Sequence, residues 1–227
     1  MTRSRPKHAL VTRIWHWLNL WCVAVLFMSG LTISNAHPRL YWGQAGFEFD
    51  KAWLYLGQFP GWITIPGHYN LAMARSWHLF TAWIFAFGLL AFMIASLANR
   101  HFKRDLVTGR AEWKPKAIRA DVVKHLKLDF THPGAKFSFL QKLAYGIVIF
   151  ILLPTMIFTG LTMSPAMDAN WPWLLHLFGG RQSARSIHFI SAWLLASFLA
   201  IHIAMVLLSG PVKQMRDMIT GGRDETA

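Results

Sequence analysis

The sequence predicts an all-α integral membrane protein in which four transmembrane helices form an antiparallel bundle. Four apolar stretches are each long enough to cross a bilayer, which takes about 20 helical residues. Of the 227 residues, 54% are hydrophobic and 12 are Trp, and the mean hydropathy is +0.33, which is too apolar and too aromatic for an ordinary soluble domain. The basic residues lie between the apolar stretches, and an up-and-down connection of the spans is the simplest arrangement.

The four membrane spans are expected at residues 11–34, 71–98, 137–164 and 183–210. The first follows a basic stretch and ends near Ser34, Asn35 and Ala36, as a secretory signal would. However, its apolar part is longer than that of a signal and contains His16 and three Trp, so we expect a retained span. Pro154 should kink the third span.

The connecting loops indicate how the chain is oriented in the membrane. Loops 35–70 and 165–182 are expected on the outer side and loop 99–136 on the inner side, with a short amphipathic helix around residues 47–56. Loop 99–136 carries ten Lys or Arg and four acids, and the predicted inner side has 18 Lys or Arg in all against 5 outside. The positive-inside rule therefore predicts that both termini are cytoplasmic. We expect residues 1–227 to form a single domain.

Charge and cysteine content exclude several classes of protein. The formal net charge is +13, but the cations lie in loops between spans and do not form one soluble basic face, which argues against nucleic-acid binding. Cys22 is the only cysteine and lies within the first span. One cysteine cannot form an internal disulfide, an iron–sulfur site or the Cys-x-x-Cys-His motif that attaches haem covalently.

Four histidines lie within the spans at two depths. His188 and His202 are 14 residues apart, nearly four helical turns, so they lie on nearly one face and roughly 21 Å apart along the axis. By depth, His16 matches His202 in the inner half of the bilayer, and His78 matches His188 in the outer half. Neutral imidazoles from facing helices can supply the two axial ligands of a haem iron without adding charge. We therefore expect two haem-binding pairs, although intramembrane histidines also form simple hydrogen bonds between helices.

Three glycines follow the same spacing as these histidines. Gly146 and Gly160 are 14 residues apart in the third span, and Gly30 lies 14 residues after His16. We expect them to give haem the room it needs between helices. The alternative is the more common role of membrane glycines, which is close helix packing.

Basic residues flank the same positions. Arg13, Arg75 and Arg185 each precede a histidine by three residues, which places each guanidinium about one turn outward on the same helix face. There they could bind haem propionates, and Lys142, one turn outward of Gly146, could do the same. The alternative is a positive flank that extends to the lipid headgroups. The other histidines show no ligand spacing, and we assign no cofactor role to His8, His37, His68, His101, His125, His132 or His176.

One histidine in each of the first two spans and His-x13-His in the fourth resemble the prokaryotic cytochrome b561 family. More widely, the pattern is similar to the cytochrome b subunits of nickel-iron hydrogenases, formate dehydrogenases and thiosulfate reductases. The resemblance implies two b haems, with His16 paired with His202 (the inner pair) and His78 paired with His188 (the outer pair). It also implies a bacterial inner-membrane location and a respiratory electron-transport function.

The function expected from this resemblance is electron transfer between membrane quinone or quinol and an oxidoreductase subunit on the outer face. A molybdopterin enzyme is the first candidate for that partner and a hydrogenase the second. An alternative that family members also resemble is a stand-alone superoxide oxidase that reduces quinone. A transporter with a histidine proton relay is disfavoured, because no Asp or Glu lies within any of the four spans.

Overall fold

The computed structural model describes residues 8–46, 48–127, 129 and 137–222. In chain order its helices are α1 (Leu10–Ala36), α2 (Leu71–Ala98), α3 (His101–Asp105), α4 (Pro115–Leu126), α5 (Phe139–Ile147), α6 (Leu153–Thr162), α7 (Pro165–Asn170), α8 (Trp173–Phe178), α9 (Arg181–Leu208) and α10 (Pro211–Thr220). Four helical stretches are long and apolar enough to cross a membrane: Leu10–Ala36, Leu71–Ala98, Phe139–Thr162 and Arg181–Leu208. The predicted all-α membrane fold with four spans is therefore confirmed.

The third of these stretches begins with an N-terminal capping box and changes from α-helix to π-helix for one turn near its centre. Ser138 Oγ accepts a hydrogen bond from the Gln141 backbone N–H at 3.1 Å, and the Gln141 side chain accepts one from the Ser138 N–H at 3.0 Å. A π-helical turn, Val148–Leu152, joins α5 to α6 immediately before Pro154. Because proline has no N–H to donate to the preceding turn, a local change of hydrogen bonding is expected there. The helix continues through Pro154 to Thr162.

The loop between α1 and α2 contains short strands and 3-10 turns, and not the amphipathic helix that was expected around residues 47–56. It contains strand β1 (Arg39–Leu40), a 3-10 turn (Phe49–Lys51), strand β2 (Leu54–Tyr55) and a second 3-10 turn (Gly61–Ile63). The strands pair antiparallel, and Phe47 lies outside the described residues. That expectation was wrong because backbone pairing with β1 and side-chain bonds to α9, described next, hold this segment extended.

This loop also caps the start of α9. The first N–H groups of a helix have no partner within the helix. Here the Gly43 carbonyl accepts hydrogen bonds from the N–H groups of Gln182 and Ser183 at 3.0 and 3.1 Å. In addition, Trp53 Nε1 donates to Ser186 Oγ at 2.9 Å, and that hydroxyl donates to the Tyr41 carbonyl at 2.6 Å. The loop is thereby attached two residues from His188.

The chain divides into two compact units, each of which takes segments from all four long helices. The first unit is Met1–Trp17, Gly88–Ile151 and Phe198–Ala227; the second is Leu18–Phe87 and Leu152–Ser197. In the first unit, the Trp15 ring, early in α1, stacks on the Phe92 ring, late in α2, with centroids 5.6 Å apart. In the second unit, Ser29, late in α1, contacts His78, early in α2. These contacts show that α1 and α2 run antiparallel.

Large apolar side chains along the long helices are exposed in the folded chain, among them Phe87, Leu90 and Ile94 of α2. In water such a surface would be unfavourable, whereas hydrocarbon solvates it without cost. The small side chains of Ser29, Ala74, Thr81 and Thr159 are instead fully buried between helices. The exposed apolar surface and the buried small residues are the pattern of a chain that packs within lipid.

Candidate histidine-pair sites

The outer pair lies in the second unit. The rings of His78 in α2 and His188 in α9 have their centroids 6.2 Å apart, with an angle of 58° between their planes. Each histidine is the eighth residue of its helix, so α2 and α9 present one imidazole each to the same point near their N-terminal ends. Both residues are half-buried in the folded chain, and an apolar surrounding favours neutral imidazole over its charged form.

Two hydroxyl groups orient these imidazoles through their Nδ1 atoms. Ser29 Oγ lies 3.0 Å from His78 Nδ1 and also donates its hydrogen to the Val25 carbonyl at 2.7 Å. Thr159 Oγ1 lies 2.8 Å from His188 Nδ1 and donates to the Thr155 carbonyl at 2.6 Å. Because each hydroxyl hydrogen is used in this way, the hydroxyl oxygen accepts from the Nδ1–H of the histidine. This tautomer leaves the Nε2 lone pair available to a metal ion.

A glycine directly follows each of these two hydroxyl residues, and it faces the imidazole ring that the hydroxyl contacts. A β-carbon added at Gly30 would lie 3.6 Å from His78 Cε1, and one added at Gly160 would lie 3.7 Å from His188 Cε1. A methyl group at either position would be in ordinary van der Waals contact with the ring, so each imidazole leaves room beside its glycine for a methyl group but not for a larger side chain. A β-carbon at Gly146, the third glycine of the predicted set, would meet nothing within 4 Å among the described residues.

The inner pair lies in the first unit and has the same ring geometry. The His16 and His202 centroids are 6.2 Å apart, and the ring planes are tilted by 58°. Its surroundings are aromatic: Phe198 stacks on His202 at 5.9 Å, and the Tyr145 ring lies edge-on to it at 6.4 Å. Among the described residues, no hydrogen-bond partner reaches the buried His16 Nδ1.

Both pairs fit an iron ion bound between two imidazoles. A metal–imidazole nitrogen bond is about 2.0 Å and the nitrogen lies about 1.1 Å from its ring centre, so two such rings have centres about 6.2 Å apart. The observed separation is 6.2 Å in each pair. Haem iron leaves two axial positions for protein ligands, so a pair of histidines is a sufficient donor set. The donor chemistry and the spacing of these residues therefore fit haem.

Of the basic residues predicted to bind propionates, two arginines donate hydrogen bonds to backbone carbonyls and the third is exposed. The Arg13 guanidinium donates to the Ile219 carbonyl, the Arg185 guanidinium donates to the His37 carbonyl, and Arg75 is exposed. A carbonyl partner leaves the positive charge uncompensated, so these arginines keep their attraction for carboxylates.

Lys142 differs because its charge is paired. Its Nζ lies 2.9 Å from Glu112 Oε1 in an ion pair, and this contact and the Gly109 N–H hold the pKa of the Glu112 carboxyl below its usual value. A propionate would have to compete with Glu112 for the ammonium group, which makes Lys142 a weaker propionate ligand than the arginines.

The sequence analysis missed the hydroxyl residues beside the histidines. Ser29, Tyr145 and Thr159 each directly precede one of the three glycines on the histidine spacing. All three contact a histidine of the predicted pairs, two through a hydrogen bond and Tyr145 through its ring. A hydroxyl residue followed by glycine was thus the signal that could have identified them.

Comparisons with known proteins agree on the type of protein. The sequence model of the prokaryotic cytochrome b561 family matches residues 7–221. A putative protein-methionine-sulfoxide reductase subunit, YedZ1, from Azospira oryzae is 29% identical, with 86% of this chain and 87% of that protein aligned. Probable Ni/Fe-hydrogenase B-type cytochrome subunits from Cupriavidus necator and Rhodobacter capsulatus are 24% and 22% identical, covering 93% and 84% of this chain and 83% and 69% of those proteins. No solved structure matches the chain.

Proposed function

Since the chain belongs to the prokaryotic cytochrome b561 family, we propose that it is a dihaem cytochrome that carries electrons between membrane quinone and an oxidoreductase subunit on its outer face. Members of this family bind b-type haem, so the chain is a multi-pass membrane b-type cytochrome. The number of haems, their ligands, the quinone and the partner are the proposed parts.

The main observation behind the proposal is that two separate histidine pairs have the same arrangement of their imidazole rings. Each histidine pair comes from two different long helices, and both pairs have the same separation and the same tilt. We assign one haem to His16 and His202 and the other to His78 and His188. Haem supplies one-electron transfer when bound. The chain's own residues orient the imidazoles, and the apolar helices exclude water from both pairs.

Two kinds of relative support an oxidoreductase partner. One is named as a subunit of a methionine-sulfoxide reductase, and the others are named as cytochrome subunits of hydrogenases. We propose a partner subunit docked outside the bacterial inner membrane, with a molybdopterin enzyme as the first candidate and a hydrogenase as the second. In this orientation the basic loop 99–136 and both termini are cytoplasmic.

Haem stoichiometry tests the assignment directly. Purified protein should contain two b haems per chain, both extractable by acidified organic solvent, because Cys22 alone cannot form a covalent attachment motif. The measurement is haem content by pyridine haemochrome spectra against protein concentration. One haem per chain, or haem that stays with the denatured protein, would contradict the proposal.

Reporter fusions test the orientation. A reporter enzyme that is active only outside the cytoplasm should be silent when fused after Ala227 and active when inserted into loop 35–70, because the excess of Lys and Arg lies on the other side. A reporter that is active only inside the cytoplasm provides the matched control and should give the opposite pattern. Activity of the first reporter after Ala227 would reverse the orientation.

A further inference from the structure

A short helix, α10, follows the last membrane span within the first unit. Gly210 has a positive φ of 98° and is followed by Pro211, so α9 ends there and α10 begins. Just before this break, Leu207 and Leu208 at the end of α9 are exposed apolar side chains. Because α9 is long and apolar enough to cross a membrane, α10 begins where the chain leaves the hydrocarbon.

The other end of α10 is attached to the start of α1. The Ile219 carbonyl accepts a hydrogen bond from the Arg13 guanidinium, and the Met218 carbonyl accepts one from Trp17 Nε1 at 3.4 Å. The start of α1 and the end of α9 lie at the same end of the unit, because the inner pair brings them together. The ten residues of α10 span about 15 Å and connect these two span ends.

The outward face of α10 carries an apolar stripe beside a cation. The stripe consists of Val212, Met215 and Ile219, which share one helix face and are 81%, 44% and 56% exposed. Arg216 is exposed next to the stripe, whereas Asp217, the only acid in α10, is 6% exposed on the side that packs against the unit. The outward face of this fully described helix is thus apolar and positive.

This combination matches the chemistry of an anionic phospholipid. A helix with an apolar stripe and flanking cations lies in the membrane interface, with the stripe at the boundary of the acyl chains. A guanidinium group is well suited to bind a headgroup phosphate. Lipid is also the neighbour that the exposed apolar side chains at the end of α9 already face, so the same surface continues into α10.

We propose that α10 lies in the membrane interface and binds anionic phospholipid. The Arg216 guanidinium contacts the headgroup phosphate, and the apolar stripe lies against the acyl chains. Because Arg13 and Trp17, which bond to α10, stand on either side of His16 in the sequence, a lipid that holds α10 also holds the helix turn that carries His16. Neither this lipid site nor its test requires bound haem.

The first test places a fluorophore at single positions of α10 in the full-length protein. Cys22→Ala removes the only native cysteine, so Val212→Cys, Ile219→Cys or Thr220→Cys can each be labelled alone. In vesicles of phosphatidylcholine mixed with phosphatidylglycerol, we expect blue-shifted emission and strong quenching by brominated acyl chains at the first two positions. Thr220 is the matched control, because it is exposed but lies about 100° around the helix from Ile219, so its label should be quenched less.

The second test measures the contribution of charge. In a neutral detergent, short-chain phosphatidylglycerol should shift the emission of the label at position 212, whereas short-chain phosphatidylcholine should not. Arg216→Gln removes one cation and should raise the concentration needed for half of this shift about fivefold. Lys51→Gln is the matched control, because it removes a cation of 68% exposure outside the first unit and should leave that concentration unchanged.

Hydrogen exchange tests the link to the inner pair. Backbone amides at the start of α1 should exchange more slowly after phosphatidylglycerol is added, and unchanged exchange would overturn this link. Equal quenching at positions 219 and 220, or the same half-maximal concentration for Arg216→Gln and wild type, would overturn the lipid site and leave the proposed electron-transfer function intact. Purified protein without haem would overturn that function and leave the lipid site standing.

Discussion

His78→Ala and His188→Ala should each remove the outer haem and leave the inner one, and His16→Ala and His202→Ala should do the reverse. Each variant should lose one haem, because that haem loses one of its two axial bonds and the anchoring that the second imidazole supplied. Redox titration followed by visible absorbance, together with haem content per chain, should therefore give two classes of variant with one haem each. His78→Ala should match His188→Ala, and His16→Ala should match His202→Ala.

The matched control for these four is His176→Ala, which removes a histidine of helix α8 outside the predicted pairs and should retain two haems. A His16→Ala spectrum that resembled His188→Ala would contradict the pairing. Loss of both haems in all four variants, with normal membrane insertion, would mean that the two sites are not independent.

Gly160→Leu should remove the outer haem almost completely while the inner haem remains. The added side chain would occupy the space of the His188 ring, since a β-carbon alone already lies 3.7 Å from His188 Cε1. Forcing extra carbons into such a contact costs about 1–3 kcal/mol and would displace the ring from the iron. Gly30→Leu should have the same effect through His78, whose Cε1 lies 3.6 Å from a β-carbon added at Gly30. Haem content and the spectrum of the remaining haem are the measurements.

Gly160→Ala is the control, because its single methyl group would be in ordinary van der Waals contact and should preserve both haems. Retention of the outer haem in Gly160→Leu would show that His188 has room to move and that the glycine is not needed. Loss of the outer haem in Gly160→Ala would show a tighter site than the contact distance implies.

The fold and the positions of the histidines could be predicted because both follow from one-dimensional patterns. Span length, charge asymmetry and a 14-residue spacing need no tertiary information, and the structure brings together the residues that depth had matched, His16 with His202 and His78 with His188. The family prediction is confirmed by a match over residues 7–221. The ligand assignments remain predictions that the variants above test.

The features that could not be predicted depend on contacts between distant segments. In the loop between α1 and α2, the β1–β2 pairing stands where a short helix was expected, because Trp53 and Gly43 bond to the start of α9. In the third span, the π-helical turn Val148–Leu152 holds roughly one residue more than an α-turn. A spacing of 14 residues therefore no longer means four regular turns there, which explains why Gly146 and Gly160 have different surroundings.

The hydrogen bonds from His78 to Ser29 and from His188 to Thr159 bear on how strongly an iron ion bound at the outer pair would attract an electron. The two histidine pairs are alike in ring separation and tilt, so ring geometry does not distinguish them. An Nδ1–H that donates to a hydroxyl oxygen leaves more electron density on Nε2, which stabilises ferric over ferrous iron. Both outer imidazoles donate in this way, whereas among the described residues His16 Nδ1 has no acceptor. If haem binds at both pairs, this difference would favour the ferric form more at the outer pair than at the inner pair, and electrons would pass more readily from the outer pair to the inner one.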